Sequence, residues 1–195
     1  MTPSAARGIL EAIHWKPAIR WTIDRIHVLK PIRFQTFRRN EVGSKIPASK
    51  AKTAMNKDTL EGLGLDINTD RQQRASIVLV DVAYVIEAHF DMTAKAGNGD
   101  NEGKHADMFK RRAQKGQCFH RPCLGCREFT ADFELIEGDT LPHHLPDEHA
   151  NRDLGWMLYD LDFSNPKDIR PQFFRARLEN GALDLTKARP QGFAS

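Results

Sequence analysis

Asn101-Glu102-Gly103-Lys104-His105 is the stretch of the chain best equipped for chemistry. A Gly/Asn/Asp turn over 97–101 leads into it and a helical pattern follows, so Lys104 and His105 arrive together at a helix N-terminus inside a basic zone. Free backbone N–H groups and the helix dipole favour an anion there. A lysine ammonium can neutralise charge building on a phosphorane, and a histidine can move a proton near neutral pH. RNA brings its own nucleophile, the 2′-hydroxyl. Cutting it needs a base for that hydroxyl, a cation for the phosphate and an acid for the leaving 5′-oxygen, and needs no metal. The same five residues also fit a capped helix with an ordinary exposed Lys–His pair.

Residues 33–45, RFQTFRRNEVGSK, interleave Arg33, Arg38, Arg39 and Lys45 with Phe34 and Phe37. Cations of this kind grip phosphates and rings stack on bases. An amphipathic strand with Phe34 in the core and a basic rim reads the same way. Cys118, His120, Cys123 and Cys126 form a legitimate tetrahedral zinc set, and Cys123 and Cys126 have knuckle spacing. Against zinc, a second CxxC is missing and Cys126 falls on the edge of an expected strand. His143, His144 and His149 share a proline-bracketed loop with Asp147 and Glu148, which suits either a metal or plain solvation. No metal and no cofactor is expected.

These groups need elements to position them. With 195 residues and 40% apolar content, the chain supports one packed domain with a small annex. It lacks an apolar run long enough to span a membrane, and MTPSAARG is no secretory signal, so a cytoplasmic protein without membrane partners is expected. Three cysteines within nine positions do not suit a disulfide framework and read as reduced thiols. The net charge of +3 conceals an asymmetry: residues 1–57 hold 12 Lys/Arg against 3 Asp/Glu, and residues 58–195 hold 17 against 23. A second basic cluster over 100–127 includes Lys104, Lys110, Arg111, Arg112 and Lys115. Two basic zones point to a polyanion.

Thr2-Pro3 reads as an N-cap and first helical residue, and Ala6, Ile9, Leu10 and Ile13 then recur on one face until Pro17, giving a helix from Pro3 to about Trp15. Gly8 inside it suits a close backbone neighbour. Alternation predicts strands around Ile19–Ile23 and Ile32–Thr36, broken near Pro31. Residues 38–74 carry no sustained period and read as a long excursion. Residues 76–92 alternate throughout and read as one strand, followed by a helix over 102–115 stopped by Gly116. Further strands are expected at Phe129–Leu135 and Met157–Phe163, with a loop at 138–151 between them. Asn180-Gly181 predicts a hairpin over 172–186. Helix, two strands, helix, strand is most of a ferredoxin-like β-α-β-β-α-β unit, the plan of RNA-recognition domains, without its opening strand. The expected class is therefore α+β, with a ferredoxin-like domain over 1–137 and an antiparallel β annex over 138–195.

TPSAARGILEAIHWKPAIRWTIDRIHVLKPIRF, RRNEVGSKI, RQQRA, YVIEAHF, NEGKH, PCLGCREF and DLGWMLYDLDF occur in this order along nearly the whole chain. Together they resemble the type I-C CRISPR-associated Cas five family. The resemblance implies an endoribonuclease that cuts the repeat of precursor CRISPR RNA without a metal, by 2′-hydroxyl attack leaving a 2′,3′-cyclic phosphate. It also implies retention on the crRNA 5′ handle as a subunit of the interference (Cascade) complex; a structural subunit that only holds the handle is the alternative. Carried over by motif, the catalytic residues are His14 from EAIHWKP and Lys104 and His105 from NEGKH; from the basic zones, Arg33, Arg38, Arg39, Lys45, Arg111 and Arg112 are expected on the RNA. Many relatives have tyrosine where His14 stands, in the role of base for the 2′-hydroxyl. Relatives also carry a leading strand before PSAARG, where this chain has Met1, so an N-terminally shortened domain is expected.

Overall fold

The structure, a computed structural model, describes residues 1–138 and 145–192. Its elements divide into two compact units, one made of Met1–Pro31 with Val82 onward and the other of Ile32–Asp81.

Helix α1 (Pro3–Ile13) starts as its sequence demands: Thr2 Oγ1 accepts the Ala5 N–H at 3.3 Å and Pro3 takes the first position, where its missing N–H costs nothing. Its inner face buries Ala6, Ile9, Leu10, Ala12 and Ile13. Strand β1 (Ile19–Val28) turns Ile19, Trp21 and Ile23 inward, shifts register between Ile23 and Arg25, and continues with Ile26 and Val28. Strand β4 (Tyr84–Met92) runs antiparallel to it, from Ile19 opposite Met92 to Val28 opposite Tyr84. Helix α3 (Glu102–Gln114) contributes Ala113 to a cluster with Ile9 and Ile13, joined by Ile86, Phe109, Phe133 and Leu135. Two helices thus share a core with the β1–β4 pair.

On its other edge β1 pairs with β7 (Ala182–Asp184), giving the order β4-β1-β7. A second sheet of the same unit has the order β5-β6-β8, with β5 (Arg152–Asp162), β6 (Arg170–Leu178) and β8 (Gln191–Gly192) antiparallel. Phe174, Ala176 and Leu178 of β6 are buried, and Arg7 of α1 forks onto Asp160 of β5, with one arm at 3.0 Å. The short helix α4 (Asp147–Ala150) precedes β5.

The other unit holds β2 (Phe34–Val42) and β3 (Arg71–Leu79), paired from Phe34–Leu79 to Val42–Arg71, with α2 (Ala48–Lys57) between them. Most of this ribbon is solvent-facing on both sides, and Phe34 is 64% exposed, so it is no core residue.

Several expectations change. Residues 38–74 are not structureless: β2 runs through to Val42, α2 follows, and β3 begins at Arg71. Their polarity hid the ribbon because neither face is buried, and an unburied strand has no need to alternate. The single strand expected over 76–92 is two, because Asp81 takes a left-handed conformation (φ 52°) and turns the chain. Phe129–Leu135 joins no sheet; its one bridge is Cys123–Thr130, while Phe133 and Leu135 pack on the α1/α3 cluster. Alternation reported their burial but not a ladder. The turn at Asn180-Gly181 is present, both residues having positive φ. The chain beyond it makes one bridge back, Glu179–Ala182, before β7 pairs with β1 instead of β6.

Gly8 differs from its expected role as well. It is exposed, and a Cβ there would meet nothing within 4 Å. With no close approach to preserve, Gly8→Ala removes a helix-interior glycine worth about 0.8–1 kcal/mol. Thermal melting of this variant is expected to rise by about 2–4 °C; a fall would mean that the α1 surface has a steric role.

Candidate active site

Helix α1 ends at Ile13, and His14 follows in extended conformation (φ −151°, ψ 115°). Three successive carbonyls at this terminus have lost their helical donors, and each finds another. Ala12 O accepts the backbone N–H of Phe119 at 2.7 Å. Ile13 O accepts the guanidinium of Arg112 at 3.0 Å, and His14 O accepts the indole N–H of Trp21 at 2.9 Å. The donors come from the segment after α3, from α3 and from β1. So anchored, the backbone aims the His14 ring at α3.

Helix α3 is capped by Asn101, whose Oδ1 accepts the Lys104 N–H at 2.9 Å. Successive helical residues lie about 100° apart, so Lys104 points outward and half-exposed while His105 points inward, 1% exposed. There His105 Nδ1 lies 3.0 Å from His14 Nε2, the two rings stacked with centroids 5.3 Å apart. His14 is wholly buried. The Phe90 ring stands edge-on to His105, and Trp21 packs between Phe90 and Phe109.

Arg112, two turns beyond His105, places a guanidinium nitrogen 3.4 Å from His14 Nδ1. Arginine can only donate. His14 therefore presents its Nδ1 lone pair to Arg112 and its Nε2–H to His105 Nδ1, which leaves the His105 proton on Nε2. That nitrogen lies 3.3 Å from Asp100 Oδ1 but at an angle short of a hydrogen bond, and it has no hydrogen-bond partner among the described residues. Lys104 Nζ donates to the same Asp100 oxygen at 2.9 Å and to Gly99 O at 3.0 Å. The Lys104 hydrogen bond, helped by the Gly97 N–H, holds the Asp100 carboxyl well below the usual carboxylate range. Burial first, then the positive charge of Arg112 and the neighbouring His105 and Lys16, lowers His14 from 6.5 to about 4. At neutral pH His14 is an uncharged imidazole.

The structure thus gathers His14, Lys104 and His105, whose sequence positions are up to 91 residues apart. Arg112, expected on RNA, is turned inward onto α1. Arg111 is exposed at the end of the same helix. Arg33, Arg38, Arg39 and Lys45 lie in the other unit, where Arg33 pairs with Asp81 and Arg39 stacks over Phe37 at 5.1 Å. Sequence reasoning missed Asp100, Trp21 and the inward role of Arg112. The seven-residue spacing of His105 and Arg112, two helical turns, is the signal for the last. Cys118, Cys123 and Cys126 are free thiols, and no three His, Cys, Asp or Glu side chains gather as a metal set among the described residues. His143 and His144 lie outside the described residues.

Comparison with known proteins gives this site its setting. The family model Cas_Cas5d, CRISPR-associated protein (Cas_Cas5), matches residues 1–186. The CRISPR pre-crRNA endoribonuclease Cas5d of Mannheimia succiniciproducens is 59% identical over 187 residues, covering 95% of this chain and 82% of that protein. The protein of the same name from Thermus thermophilus is 38% identical over 207 residues, covering 97% and 81%. Among solved structures, a functionally uncharacterized protein from Streptococcus mutans, SMU1763c, shares the fold with a TM-score of 0.68 at 20% identity, over 95% of this chain and 79% of that one. A CRISPR-associated protein follows at 0.62 and 19%, with the same coverage. Fold and sequence together define a CRISPR-associated protein of mixed α/β architecture with antiparallel sheets. Within that class the chain belongs to the Cas_Cas5d family.

The state of His14 has a measurable consequence. Its folded value, about 4, lies below the ordinary 6.5, so between those limits the unfolded chain takes up a proton that the folded one refuses. The stabilisation from neutral His14 is complete above pH 6.5 and is lost as pH falls towards 4. Urea midpoints of the wild type and of His14→Gln, measured across this range, are expected to converge as pH falls; parallel curves would show that His14 titrates alike in both states.

Proposed function

We propose that this chain is a metal-independent endoribonuclease that cuts the repeat of precursor CRISPR RNA and stays on the resulting 5′ handle within a type I-C interference complex. The observation that carries the reading is the meeting of His14 and His105 at 3.0 Å, with Lys104 one residue away at the surface. Family membership supports it, since the curated relatives are named for pre-crRNA cleavage. The helices α1 and α3 over β1 and β4 are read as the α-β-β-α portion of a ferredoxin-like domain.

The phosphodiester enters beside Lys104, whose ammonium takes up the charge that builds on the pentacoordinate phosphorus. The His14–His105 bond then gives way, as catalytic hydrogen bonds often rearrange when substrate arrives. His14, released from Arg112 as well as from His105 and with its own proton moved to Nδ1, accepts the 2′-hydroxyl proton on Nε2. The acid that returns a proton to the departing 5′-oxygen is His105 in its imidazolium form. The products are a 2′,3′-cyclic phosphate and a free 5′-hydroxyl, with one proton removed and one delivered. Arg38 and Arg39 of β2, with Arg33, Lys45 and Arg111, are assigned to the RNA backbone. In the free protein Arg112 supports His14 from behind.

One observation favours a second reading: both imidazoles are almost completely buried, as in a core that merely satisfies its polar groups. On that reading the chain holds the handle and cuts nothing.

Incubation with the cognate repeat RNA in EDTA separates the two. Cleavage with a cyclic phosphate end is expected, together with no cleavage of a repeat bearing 2′-deoxy at the scissile nucleotide. His14→Ala, His105→Ala and Lys104→Ala are each expected to slow single-turnover cutting by roughly 10²–10⁴-fold. Continued cutting of the deoxy repeat would refute the mechanism, and tight binding without cutting would establish the structural reading.

A further inference from the structure

Asp100 has only a supporting part in the roles above, yet its Oδ1 lies against both Lys104, assigned to the phosphate, and His105, assigned to the leaving oxygen. It lies 2.9 Å from Lys104 Nζ and 3.3 Å from His105 Nε2. Its other oxygen accepts the Gly97 N–H at 3.0 Å, so the carboxylate is fixed in place. The contact with His105 falls short of a hydrogen bond and leaves a buried ring nitrogen without a hydrogen-bond partner among the described residues. That nitrogen, the Lys104 ammonium and the positive end of the α3 dipole all converge on one negative oxygen. A tetrahedral phosphate offers oxygens at angles that a planar carboxylate tied to Gly97 cannot reach.

Resting on the nuclease reading, we propose that Asp100 Oδ1 stands where a non-bridging oxygen of the scissile phosphodiester binds. In the free protein the carboxylate keeps Lys104 and His105 aligned around a negative oxygen, and it yields that seat to RNA. The exchange is cheap, because the Asp100–Lys104 pair is partly exposed, and such pairs contribute little. It is also obligatory, since carboxylate and phosphate carry like charge and share the same donors. Asp100 is therefore a positioning residue that competes with the substrate, and it discriminates against anions that bind too weakly to displace it.

The proposal predicts that removing this charge strengthens binding, and does so through Lys104. Affinity is measured by fluorescence anisotropy with the 2′-deoxy repeat RNA and the full chain. Asp100→Asn, which can still accept from Gly97, is expected to tighten binding about five- to tenfold. Asp107→Asn, the same charge change at an exposed α3 position, is expected to alter it less than about twofold. In a Lys104→Ala background the gain from Asp100→Asn is expected to vanish. Asp100→Ser, which also keeps an acceptor for Gly97, gives the same reading should the amide disturb the turn. Weaker or unchanged binding by both Asp100 variants, or a gain that survives in Lys104→Ala, would overturn the proposal. Because the deoxy repeat reports binding whether or not the chain cuts, a cleavage failure with the ribose repeat counts against the nuclease reading alone.

Discussion

A helix that stops against a protein interior leaves carbonyl oxygens that water cannot reach, and each must find a donor or cost the fold about 1–3 kcal/mol. At the end of α1 that requirement is met by Phe119, Arg112 and Trp21 in succession. The consequence reaches well beyond local satisfaction. The three donors tie α1 to β1, to α3 and to the segment after α3, so the position of His14 is set by the whole unit and not by a mobile loop. Buried backbone polarity thereby fixes where the two imidazoles meet.

The same junction decides the protonation of the site. Two imidazoles can be buried together only if lone pairs and N–H groups alternate, because a mismatch would set donor against donor in a region of low dielectric. Arg112 settles the order from one end, since it cannot accept, and Asp100 suits it at the other, since as an ionised carboxylate it cannot donate. A chain of polarity runs from guanidinium through His14 and His105 to carboxylate. Burial and the adjacent cation keep His14 neutral at working pH. A tyrosine there would have a single polar atom and could not bond on two sides through separate ring nitrogens. Histidine at this position suits an interior that supplies a donor on one side and an acceptor on the other.

How much of this the sequence revealed depended on whether a physical signal was local. The capping of α1 by Thr2-Pro3, the start of α3 after the turn over 97–101 and the turn at Asn180-Gly181 are short-range chemistry, and all three were legible. The joining of His14 to NEGKH was legible only through family resemblance, because no periodicity relates residues 91 positions apart. The β2–β3 ribbon was missed since its strands bury neither face, and Phe129–Leu135 was misread since burial and ladder formation share the same alternation. Arg112 was counted among the RNA-facing cations because a basic cluster looks alike whether one member points outward or into the fold.

Charge in the other unit obeys a different logic. In the β2–β3 ribbon Arg39 stands directly opposite Arg74, a cross-strand pairing of like charges that is unfavourable on its own. Glu41 lies 3.4 Å from each, so one carboxylate serves two cations. Two apolar side chains of this ribbon, Phe34 and Ile77, are more than half exposed. Little of its stability can come from burial, and its positive surface is held against self-repulsion. Such a surface is favoured once a polyanion covers it, and its contribution to RNA affinity should be strongly dependent on salt. The histidine site contributes few free cations, because Arg112 is committed to α1 and Lys104 to Asp100. On the proposed reading, affinity and chemistry are carried by different kinds of residue: exposed arginines attract any nucleic acid through its backbone, whereas the buried pair is assigned to a strand that brings both a 2′-hydroxyl and a phosphate able to replace Asp100.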